Sequence, residues 1–270
     1  MKKYFSSVSF TFGFILISIM ALLFLLSLFY IPYDTSLIEI TNKLKGPSTS
    51  HLLGTDQFGR DIFSRVLKGI QSSFLIALSS VAIGGAIGTL IGALSGYYGG
   101  RIDTLLMKII DVLMAFPGVL LAMMLIAVFG NGLMNTITAL SVMLIARFAR
   151  IIRSGFLKAR GQEYVLSEKL RGASSLRIIF IHILPNQLPE LVATASISFA
   201  TSIMAESGLS YLGMGLQPPS PSLGIMLSEA QDYILLAPHY VLIPSFFITL
   251  LVVGFNMLGD GIQDVNGRRV

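Results

Sequence analysis

The feature that most constrains this chain is an apolar run at residues 10–31, which contains no charged side chain. At about 1.5 Å per helical residue the run reaches about 33 Å, enough to cross a hydrocarbon core of about 30 Å. A cleaved signal peptide is the alternative, but the run is too long for one and no A-x-A-like cleavage site follows it. Residues 10–31 are therefore predicted to form an uncleaved transmembrane helix.

Further apolar segments have the length and composition of membrane spans; they are residues 73–95, 105–129, 133–152, 188–205 and 241–258. Charged residues make up 12% of the chain, about half of the roughly 25% typical of soluble domains, so little surface can face water. Lipid offers no partner to backbone polar groups, so the spans are expected to be helices. The sequence predicts an all-α membrane protein with six transmembrane helices embedded in the lipid bilayer.

The distribution of lysine and arginine predicts the orientation of the spans. With the N-terminus inside, all but five of the 19 basic residues fall on the cytoplasmic side, as the positive-inside rule requires. The net charge of +5 is therefore attributed to cytoplasmic loops, and no nucleic-acid surface is predicted. Both termini, residues 1–9 and 261–270, are predicted to be cytoplasmic, and Lys2, Lys3, Arg268 and Arg269 lie there. An outer loop at 32–69 precedes a five-helix core at 70–260, which contains a cytoplasmic loop at about 153–182.

A regular series of glycines marks the second span: Gly84, Gly88, Gly92, Gly96 and Gly100. A spacing of four places these residues on one helix face, where a second backbone can approach closely and gain contact energy in lipid. The series is predicted to be a helix-packing face. A sliding surface between two conformational states is the alternative.

Three polar residues within or near the spans are candidates for a translocation path. Asp111 lies one turn after Lys108, and a pair between them would reduce the cost of about 2.5–3.5 kcal/mol for a bare charge in the bilayer. The alternatives for Asp111 are this interfacial ion pair and a polar group that faces the path. Glu206 at the outer end of the fifth span and Asn256 in the sixth are the other two candidates.

The sequence lacks the motifs of the common enzyme classes. There is no G-x-x-x-x-G-K-[ST] loop for ATP phosphates, no H-E-x-x-H and no G-x-S-x-G. His51, His182 and His239 fall on different segments and there is no cysteine, so neither a metal site nor a disulfide is predicted. No catalytic residue is predicted, and a conduit or an interaction protein fits the chain better than an enzyme.

The longest charged segment, residues 164–177, interrupts the apolar blocks with the sequence YVLSEKLRGASSLR. Its apolar residues alternate with charge, and Gly172-Ala173 interrupts the helical pattern, which indicates an amphipathic helix–turn–helix. Pro185 and Pro189 mark the entry to the next span. One interpretation is a connector lying on anionic lipid; the other is a surface presented to a soluble partner.

The same segment resembles the coupling loop of bacterial ABC-importer permeases, whose pattern is E-A-A, three residues, Gly, nine residues and I-x-L-P. Gly172, Leu184 and Pro185 match this pattern, and His182 occupies the isoleucine position, as is common in the dipeptide, oligopeptide and nickel group. The E-A-A positions hold Leu166, Ser167 and Glu168, so the usual first glutamate is missing. Segments 51–65, 110–122, 210–227 and 255–264 are also similar to this group.

The resemblance implies a type I ABC importer permease in a bacterial plasma membrane. It implies three kinds of partner: a second homologous permease, two cytoplasmic ATPase subunits that bind ATP and Mg, and an extracytoplasmic substrate-binding protein. This chain itself would bind no cofactor. It would supply the path and an ATPase-coupling surface at Leu166, Ser167, Glu168, Gly172, Ala173, Ser174, Leu184 and Pro185.

The short N-terminal segment and the loop pattern at 165–173 resemble nickel permeases, so nickel or a metal chelate is the first expectation for the substrate. Small peptides are the alternative within the same machinery. A secondary transporter or channel without an ATPase is the third alternative.

Two outer segments have predicted roles. In GTDQFGRD, residues 54–61, Thr55 and Asp56 are predicted to cap a helix that begins near Gln57, with Asp56 and Arg60 paired at i,i+4. This segment is interpreted as a structural elbow, with contact to the binding protein as the alternative. Gln217, Pro218 and Pro219 form a turn in an outer loop without basic residues, and this turn is predicted to dock the binding protein or to gate substrate entry.

Overall fold

The computed structural model describes residues 7–267, with side chains for residues 7–265. Its helices are α1 (Val8–Phe29), α2 (Ile62–Tyr98), α3 (Gly100–Met114), α4 (Gly118–Phe129), α5 (Leu133–Ala159), α6 (Glu163–Leu170), α7 (Ser175–Arg177), α8 (Leu184–Tyr211), α9 (Leu223–Ala230) and α10 (Pro238–Gly267). A π-helical turn at Ile178–Ile183 joins α7 to α8. Within the described residues, strand-like pairing is limited to one isolated bridge. The all-α prediction is confirmed.

Five helical stretches are long and apolar enough to cross a membrane: α1, α2, α5, α10 and the continuous stretch Ser175–Tyr211. The predicted span at residues 105–129 is instead two helices, α3 and α4, that meet at 84°. The prediction of one continuous helix there is wrong, because Pro117 has no N–H to donate and disfavours helical geometry at Phe116. Six spans result when the bent pair counts as one.

Most helices extend beyond the apolar segments that predicted them, because hydropathy marks only the part surrounded by lipid; α1 instead ends at Phe29, two residues before the end of its segment. The largest difference is at α2, which begins at Ile62 and not near residue 73. Asp61 caps it, accepting a hydrogen bond from the Ser64 N–H at 2.8 Å. The predicted cap at Thr55 and Asp56 for a helix starting near Gln57 is therefore wrong.

The glycine series lies at the contact between α2 and α5. A methyl group added at Gly84, Gly88 or Gly92 would lie 2.5–2.7 Å from a backbone carbonyl oxygen of α5, and one at Gly96 would lie 2.6 Å from Phe156 Cβ. Backbones approach this closely only where no side chain intervenes. Gly100 does not share this face: it begins α3, has φ +54° and has no atom within 4 Å of the methyl position.

The remaining spans pack around the α2–α5 pair. α1 lies against α10, where Gly13 approaches the backbone of Leu258. Phe199 of α8 stacks on Phe255 of α10 with ring centroids 4.0 Å apart, and Phe74 of α2 meets the Phe199 ring edge-on. These contacts join four spans into one apolar core.

The start of α1, the start of α8 and the end of α10 lie together, since Phe10, Leu188 and Ile262 line one cavity. This arrangement places both ends of the described chain on the side of residues 164–177, which is the inner side in the predicted orientation. Lys2, Lys3, Arg268 and Arg269, on which that orientation partly depends, lie outside the described residues.

Candidate functional site

Residues 164–177, called the coupling segment below, form a helix–turn–helix at the inner end. α6 ends in a left-handed glycine turn: Gly172 has φ +77°, and its N–H donates to the Lys169 carbonyl at 3.0 Å. The Ala173 N–H donates to the Glu168 carbonyl at 3.1 Å. This pair of bonds is the Schellman arrangement, which favours glycine because other residues are strained at positive φ. Ser174 then caps α7.

One side of the coupling segment is anchored in the membrane bundle. Val165 is fully buried in an apolar cluster with Ala93 of α2, Phe156 of α5 and Ile179 of the π-helical turn. Lys169 lies over the Tyr97 ring at 5.3 Å. The segment is therefore in direct contact with the inner ends of both α2 and α5.

The other side of the coupling segment exposes large apolar side chains. Leu170 is 90% exposed and Leu176 is 60% exposed, and Leu166 is also exposed. Ser174 and Pro185 are exposed, whereas Ser167, Ala173 and Leu184 are partly buried. Exposed leucines clustered about a fixed turn are typical of a surface that another protein covers.

Glu168 is the one acidic residue in the coupling segment, and it is engaged within the chain. Its Oε1 accepts from Arg171 Nη1 at 3.1 Å, and its Oε2 lies 3.7 Å from His182 Nε2. Glu168 therefore lies between the glycine turn and the π-helical turn that follows it.

The predicted path residues do not come together. Asp111 pairs with Arg150 of α5 at 2.7 Å, not with Lys108; the i,i+3 prediction is wrong because α5 brings a guanidinium to Asp111 from another helix. Glu206 is fully buried, and its carboxylate accepts hydrogen bonds from the Ser73 hydroxyl at 3.0 Å and the Ser210 hydroxyl at 2.8 Å.

Asn256 is partly buried in α10. Its side chain has no polar partner among the residues that the structure describes.

A second ion pair of α5 lies near the inner end. Arg153 donates to both oxygens of Asp103, from Nε at 2.5 Å and from Nη2 at 2.6 Å. This bidentate pair ties α3 to α5.

The outer end carries a buried ion cluster, of which the sequence predicted one pair. The predicted Asp56–Arg60 pair is present at 2.6 Å, and Arg65 of α2 donates to the same Asp56 oxygen. Arg60 and Arg65 also reach Glu229 of α9, at 3.0 and 2.8 Å. Tyr240 of α10 donates to Glu229 at 3.2 Å. These ion pairs and hydrogen bonds connect the elbow at residues 54–61 with α2, α9 and α10.

The predicted outer docking turn is an exposed loop. Gln217, Pro218 and Pro219 are all exposed, and Gln217 Nε2 donates to the Gly213 carbonyl at 3.0 Å. Asn131, from the loop between α4 and α5, donates to the same carbonyl at 3.2 Å. The turn is thus held next to the outer end of the bent α3–α4 pair.

Metal-ligating side chains do not cluster in the described residues, where no group of three or more His, Cys, Asp or Glu is placed to hold an ion.

Comparison of the sequence with known proteins finds a matching family model and several relatives. The family model described as "binding-protein-dependent transport system inner membrane component" matches residues 88–270. The dipeptide transport system permease protein DppC of Alkalihalophilus pseudofirmus is 42% identical over 224 residues, which cover 83% of this chain and 74% of that protein. The glutathione transport system permease protein GsiD of Pectobacterium atrosepticum is 42% identical over 237 residues, covering 87% and 79%.

A solved structure shares the fold. A chain of the MetNI methionine ABC transporter in an inward-facing conformation aligns with a TM-score of 0.59 at 20% identity, covering 75% of this chain and 95% of that one. The described helices therefore have the type I importer permease architecture.

Proposed function

The chain belongs to the family of binding-protein-dependent transport system inner membrane components, and on that premise we propose that it helps to import small peptides. It is a permease subunit of a bacterial ABC importer, lies in the inner membrane and is not itself catalytic.

The substrate proposal is carried by the named relatives. One is a dipeptide permease and another is a glutathione permease, each 42% identical to this chain over more than four fifths of its length. Both substrates are short peptides. The features that favour nickel, a short N-terminal segment and the pattern at residues 165–173, contact no substrate. Peptides are therefore proposed in place of nickel.

The coupling proposal rests on the exposed leucines of the coupling segment. An ATPase subunit with a matching apolar groove would bury Leu166, Leu170 and Leu176, and each fully buried leucine contributes about 1.5–3 kcal/mol. The Gly172 turn is closed by two backbone hydrogen bonds, and Val165 is buried against α2 and α5. Force applied to the coupling segment would therefore reach α2 and α5 directly.

The α2–α5 pair would then move as one body. The backbones of α2 and α5 are in close contact at Gly84, Gly88 and Gly92, and this contact favours movement of the two helices together. We propose that ATP and Mg bound by two ATPase subunits drive this pair, against a second permease, between inward-open and outward-open states. An extracytoplasmic binding protein would deliver the peptide at the exposed 217–219 turn.

Uptake into proteoliposomes tests the proposal. The assembled transporter, with its binding protein outside and ATP inside, is expected to accumulate radiolabelled dialanine or glutathione. Omitting ATP or the binding protein should abolish accumulation. Uptake of radioactive nickel, with no uptake of dialanine or glutathione, would support the metal alternative. Uptake that does not depend on ATP would support a secondary transporter.

A further inference from the structure

An open polar cavity of about 690 Å³ lies at the inner end of the chain, between α5, α6 and α8. This volume is in the range of small-molecule sites, about 300–1,000 Å³. The predicted path residues Asp111, Glu206 and Asn256 do not line it. Its polar lining includes Ser154, Lys158, Gln162, Tyr164, Gln187 and Glu190.

Two opposite charges face this cavity without a partner. Lys158 and Glu190 are both exposed, and neither forms an ion pair with any residue in the described range. One free ammonium and one free carboxylate, with amides beside them, complement a molecule that carries both charges itself. A short peptide is such a molecule: its terminal carboxylate suits Lys158, its terminal ammonium suits Glu190, and its amide groups suit Gln162 and Gln187.

The α5 face that lines the cavity also carries Arg147, near the middle of the helix. Arg147 and Lys158 are eleven residues apart, which places them on the same helix face, about 16 Å apart along the axis. Arg147 donates to Thr201 of α8 at 3.3 Å and contacts no carboxylate in the part of the chain described. A charge that faces lipid at mid-membrane costs about 2.5–3.5 kcal/mol, so this face fits a water-filled path better than a lipid contact.

We propose that this cavity is an inner subsite of the translocation path that receives the two charged termini of a short peptide. The inference rests on the proposed peptide-import function and assigns it a site. Binding there is weak, because cargo that is held tightly in a path cannot leave it.

Protection of a single cysteine tests the subsite directly. Ser154 is exposed and lines the cavity, and the native chain has no cysteine. In the assembled transporter without ATP or binding protein, Ser154→Cys is modified by a thiol reagent, and mass spectrometry follows the reaction on this chain alone. With a dissociation constant of about 1 mM, about 10 mM dialanine is expected to slow modification about tenfold.

Charge variants and capped ligands distinguish binding at Lys158 and Glu190 from nonspecific protection of the cysteine. In the Ser154→Cys background, Lys158→Gln or Glu190→Gln is expected to weaken binding about tenfold, so that the same dialanine slows modification only about twofold. Lys108→Gln and Asp264→Asn, exposed residues outside the cavity, should keep the tenfold protection. Dialanine acetylated at one end and amidated at the other should not protect.

Three results would overturn the inference. One is a Ser154→Cys that is unreactive with or without dialanine, because the cavity is then filled by a neighbouring subunit. The second is a reactive cysteine that dialanine does not protect. The third is tenfold protection that remains in both the Lys158→Gln and the Glu190→Gln variant. If wild-type proteoliposomes import dialanine in any of these cases, the proposed function stands and only the subsite fails; if they import no peptide, the proposed function itself fails.

Discussion

Replacing Gly92 with alanine is expected to destabilise this protein, although alanine is the better helix former. The new methyl group would lie 2.5 Å from the Ala149 carbonyl oxygen, 3.0 Å from the Arg153 nitrogen and 3.1 Å from Ile152 Cβ. Two of these three atoms belong to the backbone of α5, so no side-chain rotation relieves the clash. α2 and α5 must separate instead.

The expected loss is the balance of two terms. Overpacking a tight contact typically costs about 1–3 kcal/mol, and the effect should lie in the upper part of that range because backbone atoms must move. The higher helix propensity of alanine offsets about 1 kcal/mol. A net loss of about 1–2 kcal/mol lowers the Tm of a chain this size by about 2–8 °C.

Thermal unfolding of the purified permease in detergent, followed by circular dichroism, measures this change. Gly208→Ala is the matched control, because Gly208 also lies within a helix but has no atom within 4 Å of the methyl position; its Tm should be unchanged or higher. A Gly92→Ala protein as stable as wild type, or an equal loss at Gly208, would refute the close-contact explanation.

Two further predictions concern the ends of the bundle. Gly172→Asn should retain much of the transport rate and Gly172→Val should lose most of it, because asparagine tolerates φ +77° and a β-branched residue does not; equal uptake by the two variants in proteoliposomes would contradict this reasoning. Asp56→Ala should lower the free energy of unfolding by about 3–5 kcal/mol, since it leaves Arg60 and the buried Arg65 without that carboxylate. Chemical denaturation measures this loss, and Asp34→Ala, a change at an exposed residue, is the control. Similar denaturation midpoints for the two variants would show that the cluster adds no stability.

The local patterns in the sequence predicted much of the helical architecture. Long apolar runs predicted where the chain crosses the membrane, and a four-residue spacing indicated that Gly84 to Gly96 share a face. The break in the third span also had a local signal, Phe116-Pro117, which the apolar run around it concealed. Hydropathy averages over a window and is insensitive to a single missing N–H.

Contacts between distant residues were beyond local patterns. Arg60 meets Glu229 across 169 residues, and Asp111 meets Arg150 across 39; neither spacing carries a periodic signal. The nearby Lys108 was the only partner that helical spacing offered to Asp111. The cavity between Lys158 and Glu190 likewise exists only because α5 and α8 pack side by side.

Crosslinking between the coupling segment and an ATPase subunit tests the central claim most directly. In the assembled transporter, Leu170→Cys is expected to form a covalent product with cysteines placed along the ATPase groove. Leu235→Cys, equally exposed but at the outer end, should form none. A product from Leu170→Cys alone is the predicted result; no product from Leu170→Cys, or equal yields from both positions, would contradict the claim that this surface couples the permease to ATP hydrolysis.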